Sequence, residues 1–281
     1  MPRTLKSLKT PLRYPGGKSK AVPKLLQYLP NLFQVKEFRE PFLGGGSVAL
    51  EITKRYPHIN VWVNDLYEPL YNFWCELQHN GQELQDALLG IKSIYCNPDA
   101  ARCLFISSKE QINDSDLSNF DRAVAFYIVN KCSFSGLTES SSFSAQASES
   151  NFSTNGIERL TEYSEIIERW KITNLSYESM LCDDKDTFIY LDPPYDIKDN
   201  LYGKKGEMHK RFDHDKFAAD CDQHTCPMLI SYNSDQIIRD RFYEWTVGEF
   251  AHTYTMRSVG CYNIDQATRK ELVLTNYEMR S

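Results

Sequence analysis

Apolar positions along the chain recur with two periods. Phe188-Ile189-Tyr190-Leu191 and Met228-Leu229-Ile230-Ser231-Tyr232 are short apolar runs of the kind found in strands covered on both faces, and Ile59-Asn60-Val61-Trp62-Val63 alternates as a half-buried strand does. Glu37 to Pro41, Ile172 to Leu175 and Glu271 to Thr275 add three further strands. Helical spacing runs through Val48 to Tyr56, Pro69 to Gln78, Ile157 to Trp170, Asp215 to His224 and Gln236 to Tyr243. Ser47 is placed to cap the first of these helices and Pro69 to open the second, while Asn155-Gly156 precedes the third. From Asn80 to Cys132 the period is helical, interrupted at Asn97-Pro98 and Asn113-Asp114, and no strand is predicted there. Ser133 to Ser153 holds nine serines and reads as a mobile loop. The pattern predicts an α/β fold: a mixed, mostly parallel sheet flanked by helices and formed by residues 1–79 and 156–281, with a helical insertion over residues 80–155.

The length of 281 residues suits one large α/β domain with an insertion. No apolar run approaches the roughly 20 residues that span a bilayer, so no membrane contact is expected. Met1 to Thr10 lacks a secretory core, which predicts a soluble cytosolic chain. The eight cysteines form no C-x-x-C pair and the six histidines no ligand set, so no metal is expected. A net charge of −6 argues mildly against nucleic acid, but the charge is unevenly spread. The first 36 residues carry eight Lys or Arg side chains and no acid, and Lys204, Lys205, Lys210 and Arg211 form a second basic group. Such patches can meet phosphates while the rest of the surface stays acidic.

The chemistry concentrates at Asp192-Pro193-Pro194-Tyr195, directly after an apolar strand. An exocyclic amino group on a nucleobase is a poor nucleophile because its lone pair is delocalised into the ring. The Asp192 carboxylate and the Pro193 carbonyl could accept both of its N–H protons and turn that lone pair out of conjugation. The prolines stiffen the backbone and add no competing N–H. Tyr195 could stack on the base. Earlier in the chain, Phe42-Leu43-Gly44-Gly45-Gly46-Ser47 forms a glycine turn between strand and helix, and Asp65 follows at about the 20-residue distance of a ribose-binding carboxylate. Pro15-Gly16-Gly17-Lys18-Ser19 is not a phosphate-binding P-loop, since Leu12 occupies the position of its first glycine. It does offer Tyr14 and Lys18 on a tight turn, a pair suited to a ligand with a ring and a carboxylate.

The order of these motifs resembles the Dam-type, or D12-class, DNA N6-adenine methyltransferases. The match runs through Leu12 to Lys18, Glu40 to Ser47, Asn64-Asp65 and Asp192 to Tyr195, with Asn130 to Leu137 similar to the family's DNA-contacting segment and Arg269 to Asn276 to its C-terminal strand. The resemblance implies a Rossmann-like S-adenosylmethionine-dependent methyltransferase sheet in which residues 80–155 form a helical target-recognition domain. It implies S-adenosylmethionine held by Tyr14, Gly17, Lys18, Phe42, Gly44, Gly46, Ser47, Asp65, Tyr177 and Asp192. Gly44 and Gly46 would admit the cofactor closely, Asp65 would bind the ribose hydroxyls, Lys18 the methionine carboxylate and Tyr177 the cofactor's adenine. A plain strand cap at Asp65 and a core aromatic at Tyr177 are the structural alternatives.

The catalytic set is Asp192, Pro193 and Tyr195. The target adenine would leave the duplex, stack on Tyr195 and donate from N6 to Asp192 and the Pro193 carbonyl while attacking the methyl carbon in line. Arg13, Lys131, Phe134, Ser135, Leu137, Lys204 and Lys205 are the expected DNA contacts, with phosphate contact or core packing as alternatives at Arg13 and Phe134. Thr138 and Glu139 stand where the Dam-type pattern has a base-reading arginine, and a glutamate cannot make arginine's bidentate contact to guanine, so a GATC target is not implied. The partners expected are double-stranded DNA and a restriction endonuclease, with the enzyme a monomer, or a dimer on DNA, in a bacterial or phage-infected cytoplasm. Other acceptors consistent with the motif are N4 of cytosine, RNA and a protein amide; a non-catalytic DNA-binding module is the alternative of another class.

Overall fold

The computed structural model describes residues 9–14, 16–136, 138–195, 212–251 and 270–279, without the side chain of Ser135. Seven strands form one sheet: β1 (Glu37–Glu40), β2 (Asn60–Asn64), β3 (Lys171–Thr173), β4 (Thr187–Leu191), β5 (Met228–Asn233), β6 (Thr246–Ala251) and β7 (Lys270–Thr275). Their order is β3-β2-β1-β4-β5-β7-β6; the first five run parallel, and β7 is antiparallel to both neighbours. The chain moves outward from β1 through β2 to β3 and returns to β4 on the other side of β1. Connections therefore diverge beyond the C-terminal ends of β1 and β4, the place where open α/β sheets bind ligands.

Both faces of the sheet are covered, as the apolar runs require. Phe188 and Tyr190 of β4 join Phe38, Val61 and Val63 under the Ser47–Arg55, Glu68–His79 and Leu160–Ile167 helices. Ile189 and Leu191 point the other way, onto Phe217, Ile238 and Phe242 beside the His214–Asp222 and Gln236–Arg241 helices. The strand period of two thus divides one run between two cores. Fully burying each Leu, Ile or Phe contributes about 1.5–3 kcal/mol.

The predicted helical stretch consists of Gly81–Ile94, Pro98–Gln111 and Asn119–Cys132. Its breaks are caps: Asn97 Oδ1 accepts from Ala100 N–H at 2.9 Å, and Ser118 Oγ accepts from Asp121 N–H at 3.0 Å. Leu84, Leu88, Phe105 and Phe126 belong to the same core as the sheet, and Phe73 stacks on Tyr127 with ring centroids 5.8 Å apart. The helices and the sheet face are one packed body.

Four local expectations need correction. Ser47 is not the cap of its helix: Gly46 holds that position with φ 68°, and the Ser47 hydroxyl pairs with Ser19 Oγ at 2.9 Å. Ser133 to Ser153 is not a bare loop. It carries an antiparallel bridge between Ser133 and Phe143 and a helix, Ala145–Ser150, which Ser144 caps at Ala147 N–H. The helix expected over 157–170 is split into Thr154–Ile157 and Leu160–Ile167. Finally, β6 is a strand the apolar pattern does not predict: it is an edge strand paired with β7, and none of its residues is fully buried.

Gly46 offers a stability test. A Cβ there would lie 3.0 Å from Trp74 Cζ2, on a backbone that L residues rarely adopt. Gly46→Ala is expected to cost about 1–3 kcal/mol, read as a lower urea midpoint at unchanged slope. Among the described residues no helix is long and apolar enough to cross a membrane, and no three His, Cys, Asp or Glu side chains are grouped to hold a metal.

Candidate active site

A cavity of about 500 Å³ opens at the C-terminal ends of β1, β2 and β4. Its wall is built by the Tyr14-to-Lys18 turn, the segment 40–48, Asn64 to Tyr67, Leu175 to Glu178, Asp192, Pro194 and the start of the His214–Asp222 helix. The segments after β1, β2, β3 and β4 meet here because those strands end at the same edge, and the Tyr14-to-Lys18 turn, which precedes the sheet in sequence, packs onto them.

Asp65 accepts hydrogen bonds from Gly44 N–H (2.9 Å, Oδ2) and Tyr67 N–H (3.0 Å, Oδ1). Burial pushes its carboxyl up to about 6, against the two N–H donors that lower it. A carboxylate has about four acceptor positions, so Asp65 retains capacity for two more donors in the cavity. Asn64, which sequence reasoning noted only as Asp65's neighbour, fastens the wall: its Nδ2 donates to the carbonyls of Pro41 (3.1 Å) and Leu175 (2.9 Å), and its Oδ1 accepts from Leu175 N–H at 2.8 Å.

Gly44 and Gly46 line the cavity, and packing alone already requires them to be glycine. At Gly44 the φ is +49°, and an added Cβ would meet Tyr14 Cε1 at 2.8 Å. The space above Gly44 is filled by the Tyr14 ring, and that above Gly46 by Trp74, whose indole N–H donates to the Gly44 carbonyl at 3.1 Å. The glycines let two aromatics close on the turn. Gly17 has a comparable role: its N–H donates to the Tyr14 carbonyl at 3.0 Å and tightens the turn that carries Lys18.

Phe42 and Tyr177 form an aromatic wall, 5.7 Å between centroids, backed by Phe217. The Tyr177 hydroxyl donates to Asp220 at 2.7 Å, and burial together with that carboxylate holds its phenol well above the usual range. Glu40, which sequence reasoning did not assign, lines the cavity as well. It is buried, accepts from Ala49 N–H at 2.8 Å, and burial pushes its carboxyl well above the ordinary range.

At the other end of the cavity, Asp192 Oδ1 is 2.9 Å from Lys18 Nζ and accepts from Ser231 Oγ at 3.1 Å. Ser231 is itself paired with the Tyr190 hydroxyl at 2.8 Å. Burial raises the Asp192 carboxyl above its ordinary value, opposed by the Lys18 ammonium. Two expectations change here. Lys18 does not face an open anion position, because its buried ammonium lies between Asp192 and Glu271 (3.0 Å) and also donates to the Tyr195 hydroxyl. Tyr195 does not wall the cavity: its hydroxyl donates to Glu271 at 2.7 Å, and Lys18 Nζ sits 4.7 Å from its ring centroid. Asp192 and Pro194 face the cavity, whereas Pro193 and Tyr195 are absent from its lining.

Among the expected DNA contacts, Arg13 is tied to the end of the Asn119–Cys132 helix. Its N–H donates to Asn130 Oδ1 (2.9 Å), Asn130 Nδ2 donates back to its carbonyl (2.6 Å), and its Nη1 donates to the Ser133 carbonyl (2.7 Å). The two motifs, distant in sequence, are one unit. Lys131 is not presented to phosphate: it is 8% exposed, lies 5.1 Å from the Tyr127 ring centroid, and burial lowers it to about 8. Phe134 is exposed. Glu139 accepts from the Tyr67 hydroxyl and from Asn113 Nδ2, so the carboxylate at the arginine's expected position is bonded within the protein. Leu137, Lys204, Lys205 and the Ser135 side chain lie outside the described residues.

The family profile of the D12 class N6 adenine-specific DNA methyltransferases matches residues 14–256. The chain is 28% identical over 189 residues to a DNA adenine methylase of Vibrio cholerae serotype O1, an alignment covering 66% of this chain and 64% of that protein. It is 23% identical over 198 residues to a type II methyltransferase of Methanocaldococcus jannaschii (66% of this chain, 68% of the relative). A third alignment, to a type II methyltransferase of Lactococcus lactis subsp. cremoris, is 20% identical over 282 residues and covers 94% of each chain. The chain thus spans a little under two thirds of the Vibrio protein and nearly all of the Lactococcus one.

Proposed function

We propose that this chain, which belongs to the D12 class of N6 adenine-specific DNA methyltransferases, transfers a methyl group from S-adenosylmethionine to N6 of an adenine flipped out of double-stranded DNA. The observation that carries the reading is the state of Asp192. Both of its hydrogen bonds fall on Oδ1, so Oδ2 is left for a donor inside the cavity. An amino group donating there has its lone pair drawn out of the ring, and alignment then supplies most of the rate.

The residues present fit the cofactor. A diol suits the two remaining acceptor positions of Asp65, a purine suits the aromatic wall of Phe42 and Tyr177, and a cation suits a cavity lined by acidic side chains. S-adenosylmethionine supplies a methyl group already activated on a sulfonium, so no covalent enzyme intermediate is needed. The helices over residues 80–155 would serve as the target-recognition part, with Arg13 and Phe134 at its junction with the cavity. The type II names of two relatives point to a partner restriction endonuclease, and the enzyme is expected to act as a monomer.

Incubating a plasmid with the purified protein and S-adenosylmethionine, then reading modified bases by single-molecule sequencing, tests this function. N6-methyladenine in one short sequence context is expected. Methylation at cytosine, or none while the cofactor binds, would overturn it.

A further inference from the structure

Behind Asp192 the Lys18 ammonium meets a second buried carboxylate, on the last strand of the sheet. Glu271, on β7 and fully buried, stands 3.0 Å from the Lys18 ammonium and accepts from the Tyr195 hydroxyl. Lys18, on the N-terminal turn, joins it to Asp192. Lys18 thus bridges the two carboxylates, while the Ser231 hydroxyl donates to Asp192 and the Tyr195 hydroxyl to Glu271. Burying a carboxylate costs free energy, which calls for a reason to place one beside Lys18.

The geometry supplies that reason. A lysine is a flexible point charge with three donors and can settle anywhere near an acid. Glu271 and the Tyr195 hydroxyl hold Lys18 from its far side, while its ammonium meets Asp192 at Oδ1. We propose that Glu271 is a positioning residue: it anchors Lys18 and Tyr195 so that Asp192 presents Oδ2, unencumbered, to the amino group of the substrate base. This deepens the functional reading above and rests on it for the identity of the amino group.

The charge of Glu271 also acts on Asp192. Asp192 is faced by Lys18 from the N-terminal turn, Glu271 from β7, Ser231 from β5, Glu40 from β1 and Tyr190 from its own strand. Of these, Lys18 and Ser231 favour the carboxylate, while Glu271 and burial disfavour it. Removing the Glu271 charge should therefore move Asp192 toward lower pH, even as it loosens Lys18. A residue with only a packing role would slow the reaction without that displacement.

The test uses Glu271→Gln, which keeps the shape and removes the charge, and Glu271→Asp, which keeps the charge but shortens the reach. Single-turnover methyl transfer to a duplex carrying the target is measured across pH, alongside S-adenosylmethionine affinity by calorimetry. The Asp192 carboxyl carbon is titrated by NMR in the cofactor-free protein. Glu271→Gln should slow transfer about tenfold or more with cofactor affinity within about threefold, as for loss of one charged hydrogen-bond acceptor. Its Asp192 titration and the acid limb of its rate profile should both shift to lower pH, whereas in Glu271→Asp the rate falls and the titration does not shift downward. A Glu271→Gln rate within about twofold of wild type, or a titration that stays put or rises, would overturn the proposal. Should wild type methylate no adenine, the functional reading fails, and the NMR titration, which needs neither DNA nor cofactor, still judges Glu271.

Discussion

Asp192→Ala should lower the single-turnover rate of adenine methylation by about 10²–10⁴-fold, the range seen when a positioned proton acceptor is removed. The affinity for S-adenosylmethionine should change by no more than about threefold, since the ribose and purine contacts assigned to Asp65, Phe42 and Tyr177 are untouched. The variant should fold, for a reason specific to this site: Lys18 lies between Asp192 and Glu271, so deleting Asp192 leaves the ammonium paired with Glu271. Deleting Lys18 instead would take its ammonium from both buried carboxylates, which makes Lys18 a poor choice for separating chemistry from stability. Rapid-quench rates and calorimetric affinities measured on the same preparation check both halves of the expectation. A variant that turns over at the wild-type rate would remove Asp192 from the mechanism.

Asp65→Asn should weaken S-adenosylmethionine binding by about 10–100-fold, the scale of one or two hydrogen bonds to a charged group. An amide at this position also turns an NH₂ donor toward either Gly44 N–H or Tyr67 N–H, where the carboxylate accepts from both. The pH dependence gives a sharper signature. Burial lifts the Asp65 carboxyl to about 6, so the folded, cofactor-free protein holds a proton there that the unfolded chain has already released. The stability contributed by that proton is present at low pH and lost as pH rises through about 6. Ribose hydroxyls need the carboxylate as acceptor, so wild-type affinity should fall below pH 6, by about tenfold per unit once the proton is fully bound. In Asp65→Asn the affinity should be flat across that range. Calorimetric titrations between pH 5 and 8 distinguish the two curves, and a wild-type affinity independent of pH would mean that Asp65 does not meet the ribose.

Much of the frame was legible because the sheet is buried on both faces. β4 and β5 announce themselves as apolar runs, and the turns after β1, β2 and β4 carry the glycines, Asp65 and Asp192 at their ends. What stayed hidden was of other kinds. The edge strand β6 pairs with β7 through its backbone and buries none of its residues fully, so it leaves no apolar run to read. The serines of 133–153 looked like a loop, yet several act as local caps and bridges whose geometry composition does not encode. Lys131 was expected among the DNA contacts, but it is buried against Tyr127. The Lys18–Glu271 contact joins the two ends of the chain and follows only from β7 lying beside β5, a pairing no local signal predicts. The site residues were therefore found as types, while their partners, and with them the role of Lys18 and the orientation of Tyr195, came from the topology.

The account turns on a corner that hands an activated methyl group to the exocyclic nitrogen of adenine. The most direct test is to supply S-adenosylmethionine labelled in that methyl group to unmodified duplex DNA, with wild type and Asp192→Ala in parallel, and to quantify the nucleosides by mass spectrometry after digestion. The label should appear in N6-methyldeoxyadenosine with wild type and be reduced to background with the variant. Label recovered in N4-methyldeoxycytidine, or in equal amounts with both proteins, would contradict it.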